Sequence, residues 1–240
     1  MEYLNRACLE SVSAQAFRSQ YPYPWVAMDS ALTAEGREIL RGTLPDLSLF
    51  DHHIGDRRAY GQAPHDRMLL HYTPSLPLAE PWRQFIGELQ GEVYQSFLRR
   101  LLGDHRFILT MEWHYSWQGC SVSPHCDAKR KLATHLFYFN SAEDWDPSWG
   151  GQTLILDSQR RFATHSAPGF DEFAVVAASD PLGQGSLLFQ RTPHSWHGVR
   201  PLQCPDGKLR KLFHLTINQL SFQVLWRQLR GKDPDGHRFR

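Results

Sequence analysis

The sequence predicts a mainly β fold whose helices gather at the N-terminal end. Beyond Gly103 the chain breaks into short runs rich in β-branched and aromatic residues: "FILTMEWHY", "LATHLFYFN", "QTLILD", "FAVVAA", "GSLLFQR", "SWHGV" and "KLFHLTINQ". Turn residues bound each run, and no helical periodicity separates them, so an antiparallel sandwich or barrel is expected and not a parallel α/β sheet. Before Gly103 the pattern differs. Trp82, Phe85, Ile86, Leu89, Val93, Tyr94, Phe97, Leu98 and Leu101 recur at three- and four-residue spacing, the stripe of a helix packed on a sheet.

In chain order, Thr33 is placed to cap a short helix running to about Leu40. Residues 42 to 77, with the pair His52-His53, read as a loop. Pro81 suits a first helical turn, and the spacing predicts one helix from Trp82 to Leu102 that Gly103 ends. Three parts of a single domain are expected: a helical and loop part over 1–105, a β core over 106–220 and a tail over 221–240. In the tail, "FQVLWRQL" reads as an amphipathic turn or two and "GKDPDGHRFR" as a frayed end.

Composition narrows the function classes. At 240 residues, 41% hydrophobic and net charge +1, the chain has the composition of one globular domain and no electrostatic reason to bind nucleic acid or an anionic membrane. A small-molecule or peptide partner is expected. No basic stretch leads into an apolar run at the start, and no apolar segment approaches the roughly 18 residues of a membrane helix. Cys8, Cys120, Cys126 and Cys204 form no CxxC pair, which argues against a disulfide framework or structural zinc and fits a cytoplasmic protein.

The chemistry is carried by "SPHCDAK". On an extended strand His125 and Asp127 would project to one side, offering an imidazole and a carboxylate to a single ion, with Cys126 turned away. Alone the pair means little, because thirteen histidines and fifteen aspartates produce roughly one HxD by chance. About seventy residues on, "FQRTPHSWHGVRP" supplies His197, with His194 as a neighbouring candidate. A His, a carboxylate one residue away and a distant His make the facial donor set of non-haem Fe(II) sites; zinc accepts the same ligands but favours four closed ones when structural. Ser195 lies near both histidines, yet no GxSxG elbow accompanies it, so a hydrolase triad is not supported.

With "SPHCD", "THLFYFNSAEDWDPSWGGQTLIL", "GSLLFQRTPHSWHGVRP" and "GKLRKLFHLTI" in this order, residues 110 to 218 resemble the Fe(II)- and 2-oxoglutarate-dependent oxygenases, in particular their prolyl-hydroxylase-like branch. The resemblance implies a double-stranded β-helix (jelly roll, cupin-like) braced by N-terminal helices. It implies Fe(II) held by His125, Asp127 and His197, with 2-oxoglutarate and O2 as cosubstrates. It assigns the distal carboxylate of 2-oxoglutarate to Arg210; Lys211 points to the opposite face, so only one of the two enters the pocket. The spacing from His197 to Arg210 is longer than usual in similar enzymes, with "CPDG" reading as a loop insertion. Tyr115, Thr134 and Tyr138 match positions near the cosubstrate, and core packing is the competing reading for each. Gly150 and Gly151 read as a turn, with Trp145 and Trp149 packed around it.

The implied activity is hydroxylation of an unactivated C–H bond of a small molecule, amino acid or peptide, with release of succinate and CO2. Asp127 bears on the outcome, because related radical halogenases have Gly or Ala there. The alternative is a non-catalytic cupin-like binding or sensor module on the same scaffold.

Overall fold

The computed structural model describes residues 1–230 except 57, 59, 60 and 184; the segment "GKDPDGHRFR" lies outside them. Strands β1 (Trp25–Met28), β2 (Asp51–His53), β3 (Arg67–His71), β4 (Phe107–Ser116), β5 (Val122–His125), β6 (Lys131–Tyr138), β7 (Leu154–Asp157), β8 (Ala174–Ala178), β9 (Ser186–Gln190), β10 (Trp196–Val199) and β11 (Arg210–Gln219) form two antiparallel sheets. The larger has the order β1-β9-β6-β11-β4-β3-β2 and the smaller β5-β10-β7-β8. Side chains of both sheets line a shared cavity of about 990 Å³.

Strand alternation sorts the large sheet's residues between two environments. Met111, Trp113 and Tyr115 of β4, and Phe213, Leu215 and Ile217 of β11, join a helix-side core. Their alternates Glu112, His114, Ser116, Arg210, Leu212, His214 and Thr216 line the cavity. On β6, Thr134 and Leu136 face the cavity while Ala133 and Phe137 face the helices.

The helix-side core explains the aromatic stripe. Helices α1 (Arg6–Ser11), α2 (Ala14–Ser19), α3 (Ala34–Gly42), α4 (Glu80–Gln90) and α5 (Glu92–Leu102) pack outside the large sheet; α6 (Phe222–Leu229) follows β11. Trp82 lies 5.0 Å from Trp113 and 5.2 Å from Phe213, ring centroid to centroid, and Phe85 meets Phe137 edge-on at 5.6 Å. Each such ring, fully buried, contributes about 2–3 kcal/mol of transfer free energy. Thr33 Oγ1 caps α3, accepting from Gly36 N–H at 3.1 Å.

Two expectations need correction. The single helix over Trp82 to Leu102 is two helices: at Gly91 the backbone is extended (φ −77°, ψ 165°), and its N–H turns back to Glu88 O at 3.1 Å. A Cβ at Gly91 would meet the Glu88 and Gly87 carbonyl oxygens at 3.2 and 3.3 Å, so the kink suits glycine. Val93, part of the stripe, is left exposed beyond that break. Residues 42 to 77 are also not merely a loop, since β2 and β3 extend the large sheet and wall the cavity. Alternation over so few residues, three and five, is too short to register in the sequence. Among the described residues no helix is long and apolar enough to cross a membrane.

Candidate active site

The small sheet brings two histidines together. β10 pairs with β5 so that His197 stands directly opposite His125, and the ring centroids lie 4.3 Å apart. His125 Nδ1 donates to Ser123 O and His197 Nδ1 to Ser195 O, both at 2.9 Å. A carbonyl oxygen only accepts, so each neutral ring carries its proton on Nδ1 and leaves a bare Nε2 lone pair.

Asp127 arrives differently from the expectation. β5 ends at His125, and the carboxylate is supplied by the following loop, not by strand alternation. Side chains from β6 fix it: Lys131 Nζ donates to Oδ1 and Thr134 Oγ1 to Oδ2, each at 2.8 Å. Arg191 Nε also donates to the Asp127 backbone oxygen at 3.1 Å. Cys126 turns aside, its thiol 3.7 Å from Pro193 O.

One ligand atom from each of His125, Asp127 and His197 lies within 4.8 Å of the others, and all three residues are buried. Burial lowers the pKa of His125, with His197 adding to the effect, and burial likewise lowers that of His197. Burial would raise the Asp127 carboxyl, but Lys131, His197 and His125 outweigh it and hold it well below the usual range. Neutral imidazoles beside an ionised carboxylate are the protonation states a divalent metal takes. His194 lies outside this cluster.

Arg210 opens β11 as a buried cation on the cavity wall. Its Nε donates to Gly151 O at 2.6 Å and its Nη2 to Thr153 Oγ1 at 3.2 Å, with the guanidinium 5.5 Å from the centre of the Tyr138 ring. Burial lowers its pKa, and the nearby Tyr138 opposes that shift. Gly151 has φ +94°, and a Cβ there would sit 3.2 Å from Arg210 Cδ, so this glycine makes room for the arginine. Lys211 points away from the cavity, its Nζ 2.5 Å from Asp144 Oδ2.

The remaining sequence candidates divide. Thr134 contacts Asp127 and lines the cavity. Tyr138 donates its hydroxyl to Thr153 Oγ1 at 2.9 Å and touches the site through Arg210 and Thr153. Tyr115 does not reach the cavity: as an odd-numbered residue of β4 it faces the helices, stacked on Phe50 at 4.5 Å. His114 and Ser116 occupy the cavity face instead. Sequence reasoning missed Lys131, Thr153 and a polar group made of His71, Glu112, His114 and His214. The alternation of polar and apolar residues in "TMEWHYS" and "KLFHLTI" carries a signal for the last three.

No protein-family model and no curated protein matches the sequence. Solved structures do match. A prolyl-4-hydroxylase from Pseudomonas putida superposes with a TM-score of 0.61 at 15% identity, over 90% of this chain and 99% of that one. A Trichoplax adhaerens prolyl hydroxylase, in complex with a hypoxia inducible factor oxygen degradation domain peptide fragment, gives 0.63 at 15% identity over 89% and 90%. A non-haem alpha-ketoglutarate-dependent carbocyclase of nogalamycin biosynthesis gives 0.60 at 10% identity over 88% and 86%. Two antiparallel sheets enclosing one cavity, with helices outside the larger, thus give this chain the double-stranded β-helix fold of the 2-oxoglutarate- and Fe(II)-dependent oxygenases, prolyl hydroxylases included.

Proposed function

We propose that the protein is an Fe(II)- and 2-oxoglutarate-dependent oxygenase that hydroxylates an unactivated C–H bond of a small molecule, amino acid or peptide. The observation that carries this reading is the convergence of His125, Asp127 and His197 on one point of a cavity that Arg210 also lines. The donor set fits Fe(II): two bare Nε2 atoms and one ionised carboxylate are the ligand types such an ion would take. Lys131 and Thr134 each engage one oxygen of Asp127, and each oxygen keeps a further lone pair for a metal.

In this reading His125, Asp127 and His197 hold the metal, and the carbonyl oxygens of Ser123 and Ser195 keep both rings aimed at it. Arg210 binds the distal carboxylate of 2-oxoglutarate, where a planar guanidinium can make two parallel hydrogen bonds. Thr134 and Lys131 orient the Asp127 carboxylate. Fe(II), 2-oxoglutarate and O2 together supply the oxidising chemistry, with succinate and CO2 as coproducts. A carboxylate at Asp127 would serve as a metal ligand, which favours hydroxylation over halogenation.

Anaerobic addition of Fe(II) and 2-oxoglutarate to the purified chain should produce a visible charge-transfer band, and air should then yield succinate. Absence of both would move the protein to the non-catalytic binding reading.

A further inference from the structure

A second constellation faces the same cavity from the large sheet: His71 of β3, Glu112 and His114 of β4, and His214 of β11. Glu112 Oε1 lies 2.8 Å from His71 Nδ1, and Oε2 lies 2.8 Å from His114 Nε2 and 3.7 Å from His214 Nδ1. The distances alone would admit a metal, but the ring geometry disfavours one. The His114 and His214 rings stack with planes 10° apart and centroids 4.8 Å apart. Imidazole lone pairs lie in the ring plane, so those of two stacked rings run side by side and do not converge on one ion.

The charge of this wall is the telling feature. Burial would raise the Glu112 pKa, but hydrogen bonds from His114 and His71 hold it well below the usual range. Burial lowers His114 to about 4 and puts His214 well below its ordinary value, so both are neutral near pH 7. Among the described residues the ion pairs of Glu112 are all to histidines. Lys131 is engaged by Asp127; Arg67, on which Glu112 acts more strongly than any other carboxylate, donates from Nη1 to the His65 carbonyl at 2.8 Å and makes no direct ion pair with Glu112 among the described residues. Elsewhere in the cavity Arg58, Arg67 and Arg130 are matched in number by Asp51, Asp56 and Asp66, and the remaining cation, Arg210, is bonded to Gly151 O and Thr153 Oγ1 and not to Glu112. An ionised carboxylate facing the neutral rings of His114 and His214, its side chain 14% exposed, calls for a donor carrying positive charge.

We propose that the Glu112–His114–His214 wall is a substrate subsite that binds a cationic, hydrogen-bond-donating group, a primary ammonium or a guanidinium. The word substrate rests on the oxygenase reading; the cation site itself does not. Its chemistry selects charge and donors together: the carboxylate supplies the counter-ion, and neutral imidazole nitrogens add acceptors that a carboxylate ligand could not use.

The test is direct binding, read by calorimetry or saturation-transfer NMR on the full chain. The probes are pentylamine, pentylguanidine, pentanol and pentanoate, which share one alkyl chain and differ in the end group. The ammonium or guanidinium should bind at least about tenfold tighter than the alcohol or the acid, the scale of a charge-assisted hydrogen bond. In Glu112→Gln, with near-UV circular dichroism unchanged, that preference should shrink to within about twofold while pentanol binding stays the same. Should Glu112→Gln fail to fold, His114→Asn, which keeps the carboxylate, should retain most of the preference.

Tightest binding of pentanoate, no preference among the probes, or no binding at all would overturn the proposal. So would equilibrium dialysis against Zn(II) or Mn(II) showing an equivalent that Glu112→Gln loses and His125→Ala keeps, since the site would then be a metal site. None of these readouts needs turnover. A missing charge-transfer band therefore counts against the oxygenase reading alone.

Discussion

The cavity has two walls of nearly the same composition and opposite design. Each brings one carboxylate and two histidines to within 4.8 Å, Asp127 with His125 and His197 on one side, Glu112 with His114 and His214 on the other. On the first wall the imidazole N–H groups are spent on backbone carbonyls, so the opposite nitrogens converge bare beside the carboxylate. On the second, Nε2 of His114 is spent on Glu112 itself and the rings stack. What the ring nitrogens bond to behind the site decides what each triad can hold, and residue type alone does not.

Removing one histidine from each wall should separate them most. His197→Ala is expected to weaken Fe(II) binding by more than about 100-fold and to reduce succinate formation to background, because an inner ligand is worth more than the outer partners that support it. His214→Ala should leave Fe(II) binding within about twofold. An anaerobic Fe(II) titration checks both, and equal losses would erase the distinction between the walls.

The next effects are smaller. Arg210→Met should raise the 2-oxoglutarate concentration needed for half-saturation of the charge-transfer band by about 10- to 100-fold, the loss of charge-assisted hydrogen bonds to a carboxylate. Fe(II) affinity measured without the cosubstrate should not change. Thr134→Val removes the hydroxyl that donates to Asp127 Oδ2 at 2.8 Å and should cost about tenfold in Fe(II) affinity. Its counterpart Thr216 lies 3.4 Å from His214 Nδ1, a long contact, and Thr216→Val should cost less than about twofold. A tenfold loss on both sides would show that the threonines act through packing.

Much of the first wall was legible in the sequence, and little of the second. His125, Asp127, His197 and Arg210 lie in segments whose order resembles a known family, and the structure gathers all four around one cavity. Of the two readings open for Tyr115 the packing one matches its place in the helix-side core, and its distance along the chain from His125 carries no information about which face of β4 it occupies. Strand parity does: Glu112, His114 and Ser116 share one face and Tyr115 takes the other. His71 and Arg67 were invisible because β3 is five residues long and its pairing with β4 is a long-range contact that local pattern does not encode. The break at Gly91 was masked because the apolar spacing resumes on α5 almost in phase with α4.

A third kind of buried histidine sharpens the contrast, since both walls keep their imidazoles neutral in the presence of a carboxylate. His135, on the helix side of β6, bonds Tyr94 Oη at 2.7 Å and Ser186 Oγ at 2.9 Å. Burial alone lowers its pKa to about 3. Unfolded, the same ring would titrate near 6.5, so below that pH the unfolded chain takes up a proton that the folded chain refuses. The contribution of His135 is therefore complete above about pH 6.5 and declines as the pH falls toward about 3. Between pH 6.5 and 5.5 the loss is about 1 kcal/mol, less than a tenfold change in the folding constant. In urea unfolding at the two pH values, His135→Gln should lose about that much less stability on acidification than the parent chain. Identical pH dependence in both would mean that the ring titrates in the fold as it does in the unfolded chain, with Tyr94 and Ser186 able to accept from its charged form.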